Sequence, residues 1–209
     1  MHPAPAPPHP LIPPGTRALI LDYDGTLADT TGNNERALRE ALAPYGIALD
    51  PAWYQQHVGR SIHDLLAQLP GAGALPHHQI IAASRRRLLA SLHTLRAIPA
   101  TLSLLHAARN AGLLCAIASG ASSALVHPAL DALRLRSFFD TVVVREDAPR
   151  GKPAPDLYLE AARRLGIPPV QCLAVDDADD GITAGHRAGM TVLTLTGGKL
   201  VPAHAGEAR

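Results

Sequence analysis

Residues 19–30 read LILDYDGTLADT, an apolar segment that ends in two carboxylates two positions apart. Ala18, Leu19, Ile20 and Leu21 form a β-prone run without a polar residue, the pattern of a strand covered on both faces. Asp22 and Asp24 follow it. On extended backbone, side chains at i and i+2 point the same way, so both acids can share one pocket while Gly25 lets the chain turn away. Neighbouring carboxylates repel unless a cation or a proton lies between them. A turn needs no such pair, so the acids call for a chemical reason.

The same design recurs along the chain. Residues 113–118 are apolar and end at Ser119-Gly120; residues 141–144 lead towards Lys152; residues 172–175 end at Asp176-Asp177; residues 191–195 end at Thr196-Gly197-Gly198. Helical patterns lie between them: 101–110 with Leu102, Leu105 and Ala108 on one face, 156–165 between a proline entry and Gly166, and 181–188 stopping at Gly189. Pro128 predicts that the helix after Ser122 starts late or kinks. Alternation of this kind gives an α/β fold, a Rossmann-like parallel sheet sandwiched by helices, whose ligands bind beyond the carboxyl ends of the strands. Asp22, Asp24, Ser119, Lys152, Asp176 and Asp177 are therefore delivered to one edge.

Residues 31–97 contain no convincing strand. Ser61 is a helix N-cap with Asp64 three residues on, and Ile62, Leu65, Leu66 and Leu69 follow as a stripe. Ile80, Ile81, Leu88, Leu89, Leu92 and Leu95 form a longer helical face, and Ala37, Leu38, Ala41 and Leu42 a third. We expect a small α-helical cap over the strand ends, where a lid would sit. The expected organisation is a disordered proline-rich tail over 1–16, a catalytic core from 17–30 and 98–209, and the cap from 31–97.

Composition narrows the function. Lys and Arg number 19 against 18 Asp and Glu, a net charge of +1, which offers no electrostatic footprint for nucleic acid or an anionic membrane. The expected partner is a small molecule, bound by a monomer or, alternatively, a dimer. Cys115 and Cys172 both lie in apolar runs, as buried thiols of a reducing compartment do, so a cytoplasmic location is expected. No apolar run approaches the ~20 residues of a membrane span. The first fourteen residues hold seven prolines and lack the apolar centre of a signal peptide.

The residue types at the edge match phosphoryl transfer. A hard, oxygen-ligated ion such as Mg2+ relieves carboxylate repulsion once Asp177 joins from a second strand. Lys152 and the Ser119 hydroxyl supply the positive charge and donors that a transferring phosphoryl group needs, and a carboxylate can itself be the nucleophile. Other readings fit less well. DDADDG is no calcium loop, with Ala178 at its third position and Arg187 at its twelfth, and Gly151-Lys152 is no Walker loop, with Pro153 where Ser or Thr belongs. Asp179 and Asp180 read as solvated acids of a helix start, and Arg85-Arg86-Arg87 as a solvated helix face with substrate contact as the alternative. His57, Gly59, Arg60 and His63 are the cap residues nominated for substrate.

DYDGT, IASG, RGKPAPD and VDDADDGITAGHRAGM together resemble the four ordered motifs of the haloacid dehalogenase-like hydrolase superfamily, over about residues 17–195. The spacing resembles subfamily I, with its helical cap after the first motif, and especially its bacterial sugar-phosphate phosphatases and β-phosphoglucomutase-like members. The resemblance implies an Mg2+-dependent phosphatase of a small phosphorylated metabolite, a sugar phosphate, in which Asp22 attacks phosphorus to form an aspartyl phosphate and binds metal. Asp24 would act as acid and then base, and would offer its backbone carbonyl to the metal. Ser119 would hold a phosphate oxygen, Lys152 would stabilise charge, and Asp177 would bind metal with Asp176 in support. Asp24 is the residue that carbon–halogen hydrolases of the superfamily lack. The phosphonate-cleaving branch needs a cap lysine, and this chain has only Lys152 and Lys199. The alternative, an isomerase of sugar phosphates, would carry His where Asn34 stands and Arg near Ile62. Asp29 is expected to help cap the hinge into the insert.

Overall fold

The computed structural model describes residues 9–204. Strands β1 (Ala18–Leu21), β2 (Leu114–Ala118), β3 (Thr141–Val143), β4 (Cys172–Val175) and β5 (Thr191–Thr196) lie parallel, and β6 (Lys199–Pro202) closes the edge antiparallel to β5, in the order β3-β2-β1-β4-β5-β6. The two faces of this sheet carry side chains of different size. Leu19, Leu21, Cys115, Ile117, Leu173 and Val175 pack under α5 (Pro99–Asn110) and α6 (Ser123–Ala132), meeting Leu104, Leu105, Val126 and Leu130. Ala18, Ile20, Ala116, Ala118, Cys172 and Ala174 face α7 (Asp156–Leu165) and α8 (Asp179–Arg187). Both faces are covered, which is why the strand sequences are continuously apolar.

Strand order reverses at β1. The chain runs outward through β2 and β3 on one side and then returns to place β4 and β5 on the other, which opens a crevice beyond the adjacent ends of β1 and β4. Their register pairs Leu21 with Val175, and Asp22 N donates to the Val175 carbonyl at 2.9 Å. The next residue on each strand is therefore an aspartate beside an aspartate.

Residues 31–94 are helical: α1 (Thr31–Leu42), α2 (Pro51–Gln55), α3 (Ile62–Gln68), α4 (His77–Ala90) and two single 3-10 turns. They share an apolar cluster of their own, including Leu38, Leu42, Tyr54, Leu66, Leu69 and Ile80. Ser61 caps α3 as expected, its Oγ accepting from Asp64 N. The two connections to the sheet run side by side, with Asp29 N donating to the Arg96 carbonyl and Ile98 N to that of Leu27, both at 2.9 Å. Asp29 thus joins the hinge through its backbone; its side chain is exposed and caps nothing, and Thr30 holds the N-cap position of α1.

Several boundaries differ from the sequence reading for identifiable reasons. α5 opens at Pro99 and α8 at Asp179, because proline and acids suit a first turn. Pro128 lies inside an uninterrupted α6, where burial of Val126, Ala129 and Leu130 outweighs one missing hydrogen bond. Strand β6 went unread; the Gly197-Gly198 turn before it was its signal. Residues 1–8 of the expected tail lie outside the described residues. Residues 9–16, however, are not a tail: they turn back, and Ile12, 3% exposed, joins the cluster around Leu19 and Leu21. An apolar pair, Leu11-Ile12, inside the prolines was enough to anchor them.

Leu105 is fully buried between α5 and the sheet, whereas Leu159 on α7 is 41% exposed. Urea unfolding should show Leu105→Ala losing about 2–5 kcal/mol and Leu159→Ala within about 0.5 kcal/mol of the parent.

Candidate active site

A cavity of 380 Å3 lies over the ends of β1 and β4, roofed by the helices of residues 31–94. Asp22, Asp24, Lys152, Asp176 and Asp177 line its floor. Lys152 arrives from the loop between β3 and α7. Its Nζ donates to Asp22 Oδ1 and, at 2.7 Å, to Asp176 Oδ2. Burial alone would lower the lysine pKa; the charges of Asp176 and Asp22 outweigh it and raise the pKa, so the ammonium persists.

Each acid is held differently. Asp176 is fully engaged: Oδ2 accepts from Lys152 and from the Tyr158 hydroxyl at 2.7 Å, and Oδ1 accepts from Ala178 N at 3.1 Å. Asp177 Oδ1 accepts from the Thr26 hydroxyl at 2.9 Å, and the same hydroxyl oxygen accepts from Asp177 N at 3.0 Å. Asp24 accepts from Asn34 Nδ2 at 3.0 Å, a side chain one turn into α1. Glycine makes this crowding possible. A Cβ on Gly25, whose φ is +76°, would sit 2.3 Å from Asp177 Oδ2, and one on Gly181 would sit 1.9 Å from Asp176 Cγ.

Asp22, Asp176 and Asp177 each place a carboxylate oxygen within 4.8 Å of the others, a set of hard donors that could hold a metal ion. Asp22 Oδ2 and Asp177 Oδ2 are the oxygens of these two residues not spent on Lys152 or Thr26. Asp176 already accepts three hydrogen bonds, two of them on Oδ2, which fits a supporting part beside the other two. Asp24 was read as sharing the acid pocket of Asp22. It lines the same cavity, yet its carboxyl turns to Asn34 and stands outside the three-carboxylate cluster, because Asn34 supplies the donor that draws it away.

Ser119 sits at the end of β2 but is fully buried, and its Oγ accepts from Ala121 N at 3.0 Å. Gly120, Ala121 and Ser122 are the residues of this segment that line the cavity. All four cap nominees reach it. His57 stacks on Trp53 and ties Nδ1 to the Trp53 carbonyl at 2.7 Å; Arg60 donates to Gln68 Oε1; His63 is exposed at the wall. Gly59 is a contact between roof and floor, since a Cβ there would meet that of Ala178 at 2.6 Å.

Three residues with no assigned part in the sequence reading shape the site. Thr26, within DYDGT, aims Asp177; Asn34, noted only as standing in place of a histidine, holds Asp24; Tyr158 steadies Asp176. Tyr158 had a signal: a phenol on the buried stripe of α7 requires a hydrogen-bond partner.

An open α/β sheet with a switch-point crevice floored by acids and one ammonium defines the class as a Rossmann-like α/β enzyme. Residues 19–195 match the model of the haloacid dehalogenase-like hydrolases, and the chain belongs to that family. It is 35% identical over 190 residues to fructose-1-phosphate phosphatase YqaB of Escherichia coli, covering 85% of this chain and 95% of that protein. The crystal structure of CbbY from Rhodobacter sphaeroides in complex with phosphate superposes with a TM-score of 0.79 at 27% identity, over 91% of each chain. A β-phosphoglucomutase from Clostridium difficile shares the fold, with a TM-score of 0.73 at 22% identity over 85% of this chain and 83% of its own.

Burial, with Asp176 close by, pushes the Asp177 carboxyl up to about 6, and burial likewise raises Asp22. Protons then compete with a cation for these oxygens. Calorimetric titration with Mg2+ should show affinity climbing as pH rises from 5 through 6 to 7.5, with protons released on binding at the lower end. Affinity independent of pH over that range would separate Asp177 from the metal.

Proposed function

We propose that the protein is a cytoplasmic phosphatase that hydrolyses a small phosphomonoester, a sugar phosphate, through an aspartyl-phosphate intermediate. The observation that carries this reading is the pairing of a restrained carboxylate, Asp22, with a second one, Asp24, that is independently positioned beside the same cavity. Its relative YqaB is named a fructose-1-phosphate phosphatase, which supports the substrate class.

In the first step Asp22 attacks phosphorus and the bond to the leaving oxygen breaks as Asp24 gives that oxygen its proton. In the second, Asp24 takes a proton from water, which attacks phosphorus and releases phosphate and free Asp22. Burial raises the Asp24 pKa, against the opposing hydrogen bond from Asn34 and the Lys152 charge, the direction that suits a proton donor. Lys152 stays charged between Asp22 and Asp176, holding the nucleophile in place and offsetting negative charge as the phosphoryl group arrives. Ser119 would hold a phosphate oxygen through a hydrogen bond from its hydroxyl. A divalent ion, which we propose is Mg2+ held by Asp22, Asp177 and the Asp24 backbone carbonyl, would neutralise phosphoryl oxygens.

We further propose that residues 31–97 act as a cap domain over a core from 17–30 and 98–209, with His57, Arg60 and His63 facing substrate and Gly59 setting the seam. The isomerase alternative is less well supported: Asn34 is spent on Asp24, and Ile62 presents an apolar side chain to the cavity.

Turnover of p-nitrophenyl phosphate should require Mg2+ and fall on the order of a thousandfold or more in Asp22→Asn. Metal-independent turnover kept by that variant would refute the mechanism.

A further inference from the structure

The four tyrosines of the chain are placed differently. The Tyr45 hydroxyl donates to Gln79 Oε1 at 3.1 Å, and that of Tyr158 to Asp176 Oδ2 at 2.7 Å. Tyr23 borders the cavity from the floor, as part of the cluster between the sheet and α5. Tyr54 belongs to the roof. It is the buried residue of α2, packs in the cluster of the helical insert with Leu38 and Leu66, and borders the cavity with only 4% of its surface exposed. Its hydroxyl has no hydrogen-bond partner among the described residues.

The backbone around this phenol is fixed from both sides. Asp50 caps α2 by accepting from Ala52 N at 3.0 Å, Pro51 opens the helix, and His57 N donates to the Tyr54 carbonyl at 2.9 Å. Burial, with the charges of Asp24 and Glu35, raises the phenol pKa, so the group stays a neutral donor. Glu35 is already paired with Arg39. Asp24 acts on Tyr54 across the cavity that both of them line, and its Oδ1 already accepts from Asn34. The unspent hydroxyl and the acid therefore border one volume, into which the leaving group of a phosphoester must project. A buried phenol normally finds a partner for its hydroxyl, and an oxygen of a ligand is the acceptor that this one lacks.

Resting on the phosphatase reading above, we infer that Tyr54 is a further catalytic residue, whose hydroxyl donates a hydrogen bond to the leaving oxygen of the phosphoester beside Asp24. As the bond between phosphorus and that oxygen breaks, its electron pair stays with the oxygen, the Asp24 proton follows it there, and Tyr54 keeps its own proton. The hydrogen bond strengthens while negative charge builds on the oxygen, so it favours the transition state over the bound ester. It matters most for an alcohol such as a sugar, which leaves poorly, and least for nitrophenolate, which spreads the charge over its own ring.

The test compares kcat/KM, with Mg2+ present, for phenyl phosphate and p-nitrophenyl phosphate, two esters of similar shape whose leaving groups differ in how much stabilisation they need. Tyr54→Phe should lower the phenyl phosphate value about tenfold, the loss of one neutral hydrogen bond, and the p-nitrophenyl phosphate value by less than about twofold. Tyr45→Phe, which removes the other phenol of the helical insert, should leave both values as they are. A Tyr54→Phe loss that is equal on the two esters, as a purely structural part would give, overturns the inference, and so does no loss on either. Phenol release in the first turnover of Asp24→Asn tells direct contact from an effect through the acid. Adding Tyr54→Phe to that variant should again cost about tenfold, and an unchanged rate would leave no contact with the leaving oxygen and overturn the inference. A parent protein that cleaves neither ester refutes the phosphatase reading and this inference with it, whereas cleavage of both with a loss blind to the leaving group refutes the inference alone.

Discussion

Lys152 is the charge on which the site depends. Four carboxylates gather at the ends of two adjacent strands, and three of them fall within 4.8 Å of one another. Such a cluster is self-repelling in a buried setting, and every fixed cation near it lowers its cost. The ammonium bridges Asp22, 130 positions earlier in the chain, and Asp176, 24 positions later. It therefore ties the ends of β1 and β4 to the loop before α7. A neutral residue of the same length would leave Asp22 and Asp176 side by side without the cation that separates them.

The asymmetry of the sheet serves the same end. Large residues on one face hold α5 and α6 at the distance that leucine and valine demand, while alanines on the other let α7 and α8 approach. α7 brings Tyr158 to the carboxylate of Asp176, and α8 brings Gly181 so close to it that no side chain would fit. Small residues in β1, β2 and β4 are thus part of how an acid at the strand end becomes rigid.

Much of this was legible in the amino-acid sequence, and the reasons are physical. Strands of a doubly covered sheet are uninterrupted apolar runs, and a chemical group at the end of such a run has one place to go, so Asp22, Lys152 and Asp177 could be placed without coordinates. Helices are harder. The apolar residues of α4 were read as one face, but Ile80 lies in the cluster of the helical insert, Leu88 lines the cavity and Leu89 is exposed. A helix wedged between two partners has two buried sides, and periodicity does not tell them apart. The direction of Arg85 was lost in that ambiguity. Asn34 was equally hidden, because a polar residue early in an amphipathic helix looks solvated until the neighbouring loop is seen to carry Asp24. Ile12 was obscured for the opposite reason: proline-rich composition outweighed two apolar residues that found a place in the core.

The roof and floor of the cavity meet where neither has a side chain to spare. Gly59 and Ala178 touch so closely that even one added methyl at 59 would meet the other at 2.6 Å. Ala178 follows Asp177 directly, so the position of the roof is registered against the residue that anchors the acid cluster. The hinge of paired backbone segments at 28–29 and 96–98 sets the other end of the same body. Between these two fixed points, α1 carries Asn34 to Asp24 and α4 carries Arg85 to the cavity wall. The helix that holds Asp24 therefore packs on the helix that carries Arg85 to the wall, and a displacement of the insert would disturb both together.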